Sequence, residues 1–297
     1  MTDLIIGGCS NYSWNEIKYW VNSIRKTSFS GDVVLVTTKL DDETSRILKS
    51  KDVIVHTYNS ANAIAPHVER LFHIWDYLDK VDVSVKYNHI ITTDVRDVVF
   101  QSDPSLYLRD NLSFYGKKMI CSSEGLVYKD EPWGSNNYKQ AFGPFFYEKI
   151  KDKLIYNVGT LAGEAQFMTG FLLNLFQLSI NRPIPIVDQA VFNFMINSSP
   201  YKEVTNKAKN VDGWAIQLGT TELAIEAGSG DIGLQCKQNP SMYVTYLLNY
   251  KDEQPLILDN QIWATKEKER WKRFVVVHQY DRIPELKEKI ENLYGVE

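Results

Sequence analysis

The first hundred residues alternate short β-branched, apolar runs with amphipathic helical segments. This alternation narrows the fold more than any other feature of the chain. Residues 4–8 read as a strand. Ser13 is placed to cap the helix that follows, with Glu16 three residues on as a capping box, and Trp14, Ile17, Val21 and Ile24 fall on one face. Residues 33–37 form a second strand, 42–50 a short helix and 53–56 a third strand. Residues 66–80 carry Val68, Leu71, Phe72, Trp75 and Leu78 at helical spacing, and 87–93 are again a short β-branched run. A β-α-β-α-β-α-β order implies an α/β fold, with a mostly parallel central sheet, right-handed crossovers and flanking helices.

After Phe100 the pattern is mixed. Residues 119–122 read as a short strand, and 125–140, with Pro132, Gly134, Ser135 and Asn136, as a surface loop. Residues 163–180 form a largely apolar helix, 187–196 another, and 200–262 short strands and loops. A buried strand over 274–277 ends at His278, and 284–293 form a closing helix with Pro284 near its start. No repeat or flexible linker interrupts the chain, so residues 1–297 are expected to form one domain.

At 44% hydrophobic residues the chain can bury a substantial core. Its net charge is −4 and it has no basic block, which argues against a nucleic-acid polymer as partner. Cys9, Cys121 and Cys236 form neither a zinc spacing nor a disulfide framework, which fits a reducing compartment. The first strand begins at once, without a basic-then-apolar leader. The longest apolar-rich segment, 167–180, contains Thr169, Asn174, Gln177 and Ser179 and is too short to span a bilayer. The expectation is a soluble, cytoplasmic protein.

The strand over 87–93 ends in Asp94-Val-Arg-Asp97, and Val98-Val-Phe100 resumes an extended run. Doubly wound sheets bind ligands beyond the carboxyl ends of their strands. Two carboxylates there repel unless a cation or a basic side chain offsets them. They make a natural seat for Mg²⁺ or Mn²⁺, which take hard oxygen ligands and bridge to phosphate. The alternative is a polar turn in which Arg96 pairs with an aspartate. Residues three apart in an extended strand face opposite ways, so Asp94 and Asp97 converge only if the chain turns at Val95-Arg96. No glycine-rich phosphate loop follows any strand, so phosphate must be held another way.

Four further stretches join this one: Gly8-Cys-Ser-Asn-Tyr12, Val68-Glu-Arg-Leu-Phe72, Asn157-Val-Gly-Thr-Leu-Ala-Gly163, and the pair Val187-Asp-Gln189 with Val277-His278. In this order the five resemble the nucleotide-sugar glycosyltransferases of the GT-A fold, most like the glycogenin and lipopolysaccharide-galactosyltransferase type. The resemblance implies a nucleotide-binding half over 1–104 and a donor-sugar and acceptor half over 105–297. In such a site Tyr12 stacks on the base, Ser10 or Asn11 bonds its edge, and Arg70 lies near the nucleotide. The family's metal motif is Asp-x-Asp, whereas here the spacing is Asp-x-x-Asp and Arg96 stands where the second Asp would be. Two registers are open: Asp97 replaces that Asp, or Asp94 acts with Arg96 touching phosphate. The strand resuming at Val98 favours Asp97.

The resemblance also implies that Asn157 and Gly159 line the donor-sugar pocket, with free amides offered by a helix start at Gly163. Their alternative is a loop glycine needing positive φ. Asp188 and Gln189 would meet the donor sugar at the reaction centre, although Asp188 could equally be a helix N-cap. His278 would be the third metal ligand, and an imidazole suits Mn²⁺ better than Mg²⁺. Arg282 would reach the pyrophosphate. Arg70 has a plainer alternative as a surface cation pairing with Glu69 or Asp76.

The implied reaction moves a sugar from a nucleotide-diphosphate donor, UDP by family expectation, to a hydroxyl acceptor such as a glycan. The Asp188-Gln189 pair leans toward retention of configuration. Glu124 would be the base of an inverting enzyme, or else a solvated loop residue. Two other functions compete. A nucleotide-sugar-forming nucleotidyltransferase would need basic partners around Gly7-Gly8-Cys9-Ser10, and there are none in that loop. A non-catalytic nucleotide- or sugar-binding protein of the same fold is favoured by Arg96 inside the acidic motif.

Overall fold

In the computed structural model, which describes residues 1–60, 64–112, 116–258, 261–267 and 270–296, chain order begins as the sequence predicts. It runs β1 (Thr2–Cys9), α1 (Trp14–Lys26), β2 (Asp32–Thr37), α2 (Asp42–Ser50), β3 (Val53–Thr57), α3 (Pro66–Lys80), α4 (Val83–Lys86), β4 (Tyr87–Thr93) and β5 (Val98–Phe100). It continues through α5 (Pro104–Asn111), β6 (Met119–Val127), α6 (Pro132–Glu148), β7 (Leu154–Glu164), α7 (Ala165–Ser179), α8 (Asp188–Ile196), α9 (Tyr201–Val204), β8 (Thr205–Ala208) and β9 (Ala215–Gln217). The last elements are α10 (Glu222–Glu226), α11 (Gly230–Gln238), α12 (Pro240–Tyr250), β10 (Leu256–Leu258), β11 (Gln261–Glu267), β12 (Arg270–Arg273), β13 (Val276–His278) and α13 (Pro284–Tyr294).

A seven-stranded sheet has the order β3-β2-β1-β4-β7-β6-β8. β1 to β4 run parallel, β7 is antiparallel to both its neighbours, and β8 is parallel to β6. Alternate residues of β1 supply cores on opposite faces. Leu4 and Ile6 pack with Leu71 and Leu78 of α3 and with Phe171 and Leu172 of α7. Ile5 packs with Ile17, Trp20 and Val21 of α1. A strand covered on both faces reads as an unbroken apolar run, as this one does. Each such large apolar side chain stabilises the fold by about 1.5–3 kcal/mol on burial.

Two small sheets complete the chain, β5-β13-β9 and β10-β11-β12. In the first, β13 is antiparallel to β5 and parallel to β9, and His278 lies opposite both Val98 and Gln217. A glycine pair lets neighbouring elements close over the end of β1. A Cβ on Gly7 would lie 2.5 Å from Val95 Cγ2, and one on Gly8 would lie 3.0 Å from Arg70 Cβ. Trp20 Nε1 donates to Thr93 Oγ1 at 2.9 Å, tying α1 to the end of β4.

Several expectations are corrected. Residues 125–140 are not a surface loop: β6 runs to Val127 and α6 begins at Pro132. Pro132 occupies the first helical turn, the Glu131 carboxylate accepts from Trp133 N and Gly134 N, and Tyr138, Ala141 and Tyr147 are buried. Among the described residues, 200–262 hold four α-helices, α9 to α12, besides short strands. The long helix starts at Ala165 rather than Gly163, because β7 continues through Glu164 to pair with His89 of β4. Gly159 and Gly163 are therefore strand residues, and neither has positive φ. At Gly163 the glycine serves close approach instead: a Cβ would lie 2.4 Å from the Lys118 carbonyl oxygen. The final strand spans Val276–His278, since Phe274 and Val275 bond to Ile262, Gly213 and Trp214 instead. Among the described residues no helix is long and apolar enough to cross a membrane.

Candidate metal and nucleotide cleft

The chain does turn after β4. Asp94 N donates to the Gly159 carbonyl at 2.9 Å, which fixes the end of the strand against β7. Val95 is buried as the pivot, and Asp97 is delivered just before β5. Gln279 N, at φ 62°, donates to the Asp97 carbonyl at 2.8 Å, joining this turn to the end of β13. As a result Asp94, Asp97 and His278 each present a ligand atom, all within 4.8 Å of one another. His278 Nε2 lies 3.4 Å from Asp94 Oδ2 and 3.5 Å from Asp97 Oδ1.

These residues fit a divalent cation. The donor set is two carboxylates and an imidazole, which suits a hard or borderline metal. Ligands about 2.1 Å from one ion on perpendicular axes lie about 3 Å apart, close to the observed spacing. Gly159 leaves the necessary space, for a Cβ there would lie 2.7 Å from Asp94 Oδ2 and from His278 Cε1. The imidazole is also held from behind. His278 Nδ1 lies 2.6 Å from Gln217 Oε1, while Gln217 Nε2 donates to Ser122 Oγ and, at 2.8 Å, to Thr160 Oγ1. In this orientation Nδ1–H donates and Nε2 is the ring atom turned to the carboxylates.

Burial alone would raise the Asp97 carboxyl, but the His278 imidazole, Arg96 and Arg282 outweigh it and hold it at about 2. Arg96 is half exposed and sits 3.8 Å from Asp97 and 3.7 Å from Asp281. Arg282 lies beside the same Asp281 at 3.4 Å. Arg70 does not pair as a surface cation with Glu69 or Asp76. It bonds Asp94 Oδ1 directly, and its second nitrogen lies 3.4 Å from Asp188 Oδ2.

Asp188 is the first residue of α8 and not its N-cap, which is Val187. It is buried, and its Oδ1 accepts from Gln189 N at 3.0 Å. Glu124 is not a solvated loop residue. It lies on β6, and its Oε1 accepts from Asn157 Nδ2 at 2.8 Å and from Gln189 Nε2 at 3.1 Å. Burial pushes its carboxyl up, against the two amides and the His278 imidazole. Asn157 Oδ1 in turn accepts from Gly159 N at 2.6 Å. One carboxylate thus fixes both amides of the expected donor-sugar contacts.

Asp94, Asp97, His278 and Arg70 line one cleft of about 470 Å³ with Glu124, Asn157, Gly159, Asp188 and Gln189, and Ser10, Tyr12, Arg96 and Arg282 line it too. That volume lies within the range of small-molecule sites. Asn11 is the exception: its φ of 59° turns it to Thr38, whose Oγ1 accepts from Asn11 N at 2.9 Å. Tyr58 and Trp133 line the cleft without having been foreseen. Gln217 was missed as well, although an apolar pair ending in a polar residue, Ala215-Ile-Gln217, mirrors Val276-Val-His278. Replacing it tests the support of His278. Gln217→Leu is expected to weaken Mn²⁺ binding by about 10–100-fold with little change in melting temperature. A titration showing wild-type metal affinity would remove Gln217 from the site.

No known family profile matches the chain. One curated protein, Peptide chain release factor 2 of Aliarcobacter butzleri (strain RM4018), is 28% identical over 141 residues, covering 44% of this chain and 34% of that protein. The crystal structure of the glycosyltransferase GlyE from Streptococcus pneumoniae TIGR4 is similar at 10% identity and a TM-score of 0.49, over 93% of this chain and 53% of that one. Its apo form is similar at 10% identity and a TM-score of 0.50, over 94% and 54%. The chain therefore spans about half the length of these solved structures and about a third of the release factor. With its mostly parallel central sheet and smaller C-terminal sheets, the chain has the fold of a glycosyltransferase.

Proposed function

We propose that this protein is a metal-dependent glycosyltransferase of the glycogenin and lipopolysaccharide-galactosyltransferase type. It transfers a hexosyl or pentosyl group from a nucleotide-diphosphate sugar, a UDP-sugar by preference, to a hydroxyl acceptor such as a glycan. The observation that carries this reading is the convergence of Asp94, Asp97 and His278 beside the bare backbone of Gly159, in a cleft also lined by three arginines. Asp94, Asp97 and His278 would hold Mn²⁺, or Mg²⁺ in its place. The ion supplies Lewis-acid stabilisation of the diphosphate leaving group.

The remaining roles belong to the chain's own side chains. Arg70, Arg96 and Arg282 offset phosphate charge. Tyr12 offers a ring to the base, and Ser10 a hydroxyl to its edge. Asn157, Gly159 and Asp188 hold the donor sugar, and Asp188 with Gln189 flanks the reacting carbon. Glu124 already binds two amides, which supports retention over a mechanism needing it as a free base. We read residues 1–104 and 105–297 as the nucleotide and donor-acceptor halves of one domain. We place the protein in the cytoplasm, acting on no nucleic-acid polymer.

One observation favours a non-catalytic binder: Arg70 bonds both Asp94 and Asp188, so a basic side chain already offsets the acidic pair. The nucleotidyltransferase reading fares worse, because Gly7 and Gly8 are packed against Val95 and Arg70 inside β1. Calorimetry of UDP and GDP with Mn²⁺, then with EDTA, tests the proposal. Binding of one nucleotide that EDTA abolishes, followed by metal-dependent hydrolysis of its sugar conjugate, is the expected result. Binding without hydrolysis would leave a binder, and binding of neither nucleotide in either condition would sink the reading.

A further inference from the structure

The far end of α6 carries a feature that the cleft does not use. Gly143, at φ 79° and ψ 168°, breaks the helix just before Pro144, and the chain that follows points two aromatic rings outward. Phe145 is 68% exposed and Phe146 43%. Their rings are 5.4 Å apart, and Phe146 also meets Phe142 and Phe194. Leu178 and Ile180, at the end of α7, are exposed as well. Arg182 joins the two segments: it donates to the Ala141 and Leu178 carbonyls and lies 4.4 Å over the Phe142 ring.

Cations ring this apolar tip. Lys149 lies 5.3 Å over the Phe145 ring and Lys139 lies 4.1 Å over Tyr147. Glu148 and Asp152, acids close by in the chain, are paired with Lys151 and Lys129. The patch is therefore basic on a chain whose net charge is −4. Exposed aromatics encircled by lysine and arginine match the boundary between lipid headgroups and acyl chains, where rings insert and cations meet anionic headgroups. The short run from Arg182 to Ile186 links the patch to the cleft, because Ile186 lines it.

We propose that the Phe145-Phe146 tip, with Lys139, Lys149 and Arg182, docks the protein on an anionic lipid surface and so brings the mouth of the cleft near that surface. The proposal stands on the patch itself and does not depend on the chemistry assigned to the cleft. Its test is co-sedimentation of the full chain with vesicles of phosphatidylcholine alone or with roughly one-third phosphatidylglycerol. The expected result is binding to the anionic vesicles, weaker by about tenfold or more with phosphatidylcholine alone, at high salt, and in Phe145→Ser and Lys149→Glu. Phe145 and Lys149 are both exposed, so both variants should keep the wild-type melting temperature. Three results would overturn the proposal: no binding to anionic vesicles, equal binding to both kinds, or binding unchanged in both variants. Concentration-dependent dimers lost in Phe145→Ser, without vesicle binding, would instead assign the patch to a second copy.

Discussion

Asp97→Asn is expected to abolish Mn²⁺-dependent nucleotide binding and to lower metal-dependent donor turnover by about 10²-fold or more. The substitution keeps the volume of the side chain and removes only its charge. Asp97 is held at about 2 by His278, Arg96 and Arg282 against the opposing effect of burial, so at neutral pH it is an anion aimed at the ligand site. Its folded-state value lies below the ordinary carboxylate range. The ionised group therefore contributes stability above that range, and the contribution is lost as pH falls toward about 2. Without metal, the variant should lose on the order of 2 kcal/mol at pH 7 and progressively less in acid, as read by urea unfolding. Titration with Mn²⁺ decides the larger claim. Wild-type metal affinity in a folded Asp97→Asn protein would mean that the ion sits elsewhere.

Much of this was legible because it is local. The β1 to β4 strands announce themselves through unbroken β-branched runs, since a strand covered on both faces leaves no polar positions to blur the pattern. The meeting of Asp94 with His278 was an expectation of the family resemblance, helped by the fact that both stand where a buried strand ends. The turn at Val95-Arg96 followed from strand geometry once the two carboxylates were required to converge. What failed depended on partners distant in sequence. Pro132, Gly134, Ser135 and Asn136 are turn formers by composition, yet they open α6, which Tyr138, Ala141 and Tyr147 then anchor in the core. Gln217 matters only because β9 and β13 pair in the register that sets it beside His278. Glu124 looked solvated because nothing near it in sequence shows that Asn157 and Gln189 will reach the same oxygen. At Asn11 the deciding feature is local: its positive φ turns it to Thr38, and it does not line the cleft.

Gly159→Ala separates space from charge at the same site. Gly159 lies within β7 with φ outside the left-handed region, so the backbone can accept alanine without strain. The added methyl, however, would fall 2.7 Å from Asp94 Oδ2 and from His278 Cε1, and 2.9 Å from Asn157 Oδ1. These atoms belong to two of the proposed metal ligands and one proposed donor-sugar contact, and all three must give way together. Overpacking of this kind costs about 1–3 kcal/mol of stability, which leaves a folded protein. Metal affinity is expected to fall at least about tenfold, and donor turnover about 10²-fold, because misplacement of ligands by a fraction of an ångström to 1 Å is felt steeply in the reaction. Gly163→Ala provides the contrast. Its methyl would meet the Lys118 carbonyl at 2.4 Å and Met119 at 3.0 Å, on the same strand but among none of the ligands. It should lower stability and leave Mn²⁺ affinity unchanged in the folded fraction. If Gly159→Ala lost no more metal affinity than Gly163→Ala, the space beside Gly159 would not be where the ion is held. Arg70 beside Asp94, with Arg96 and Arg282 beside Asp97, would then account for the paired carboxylates.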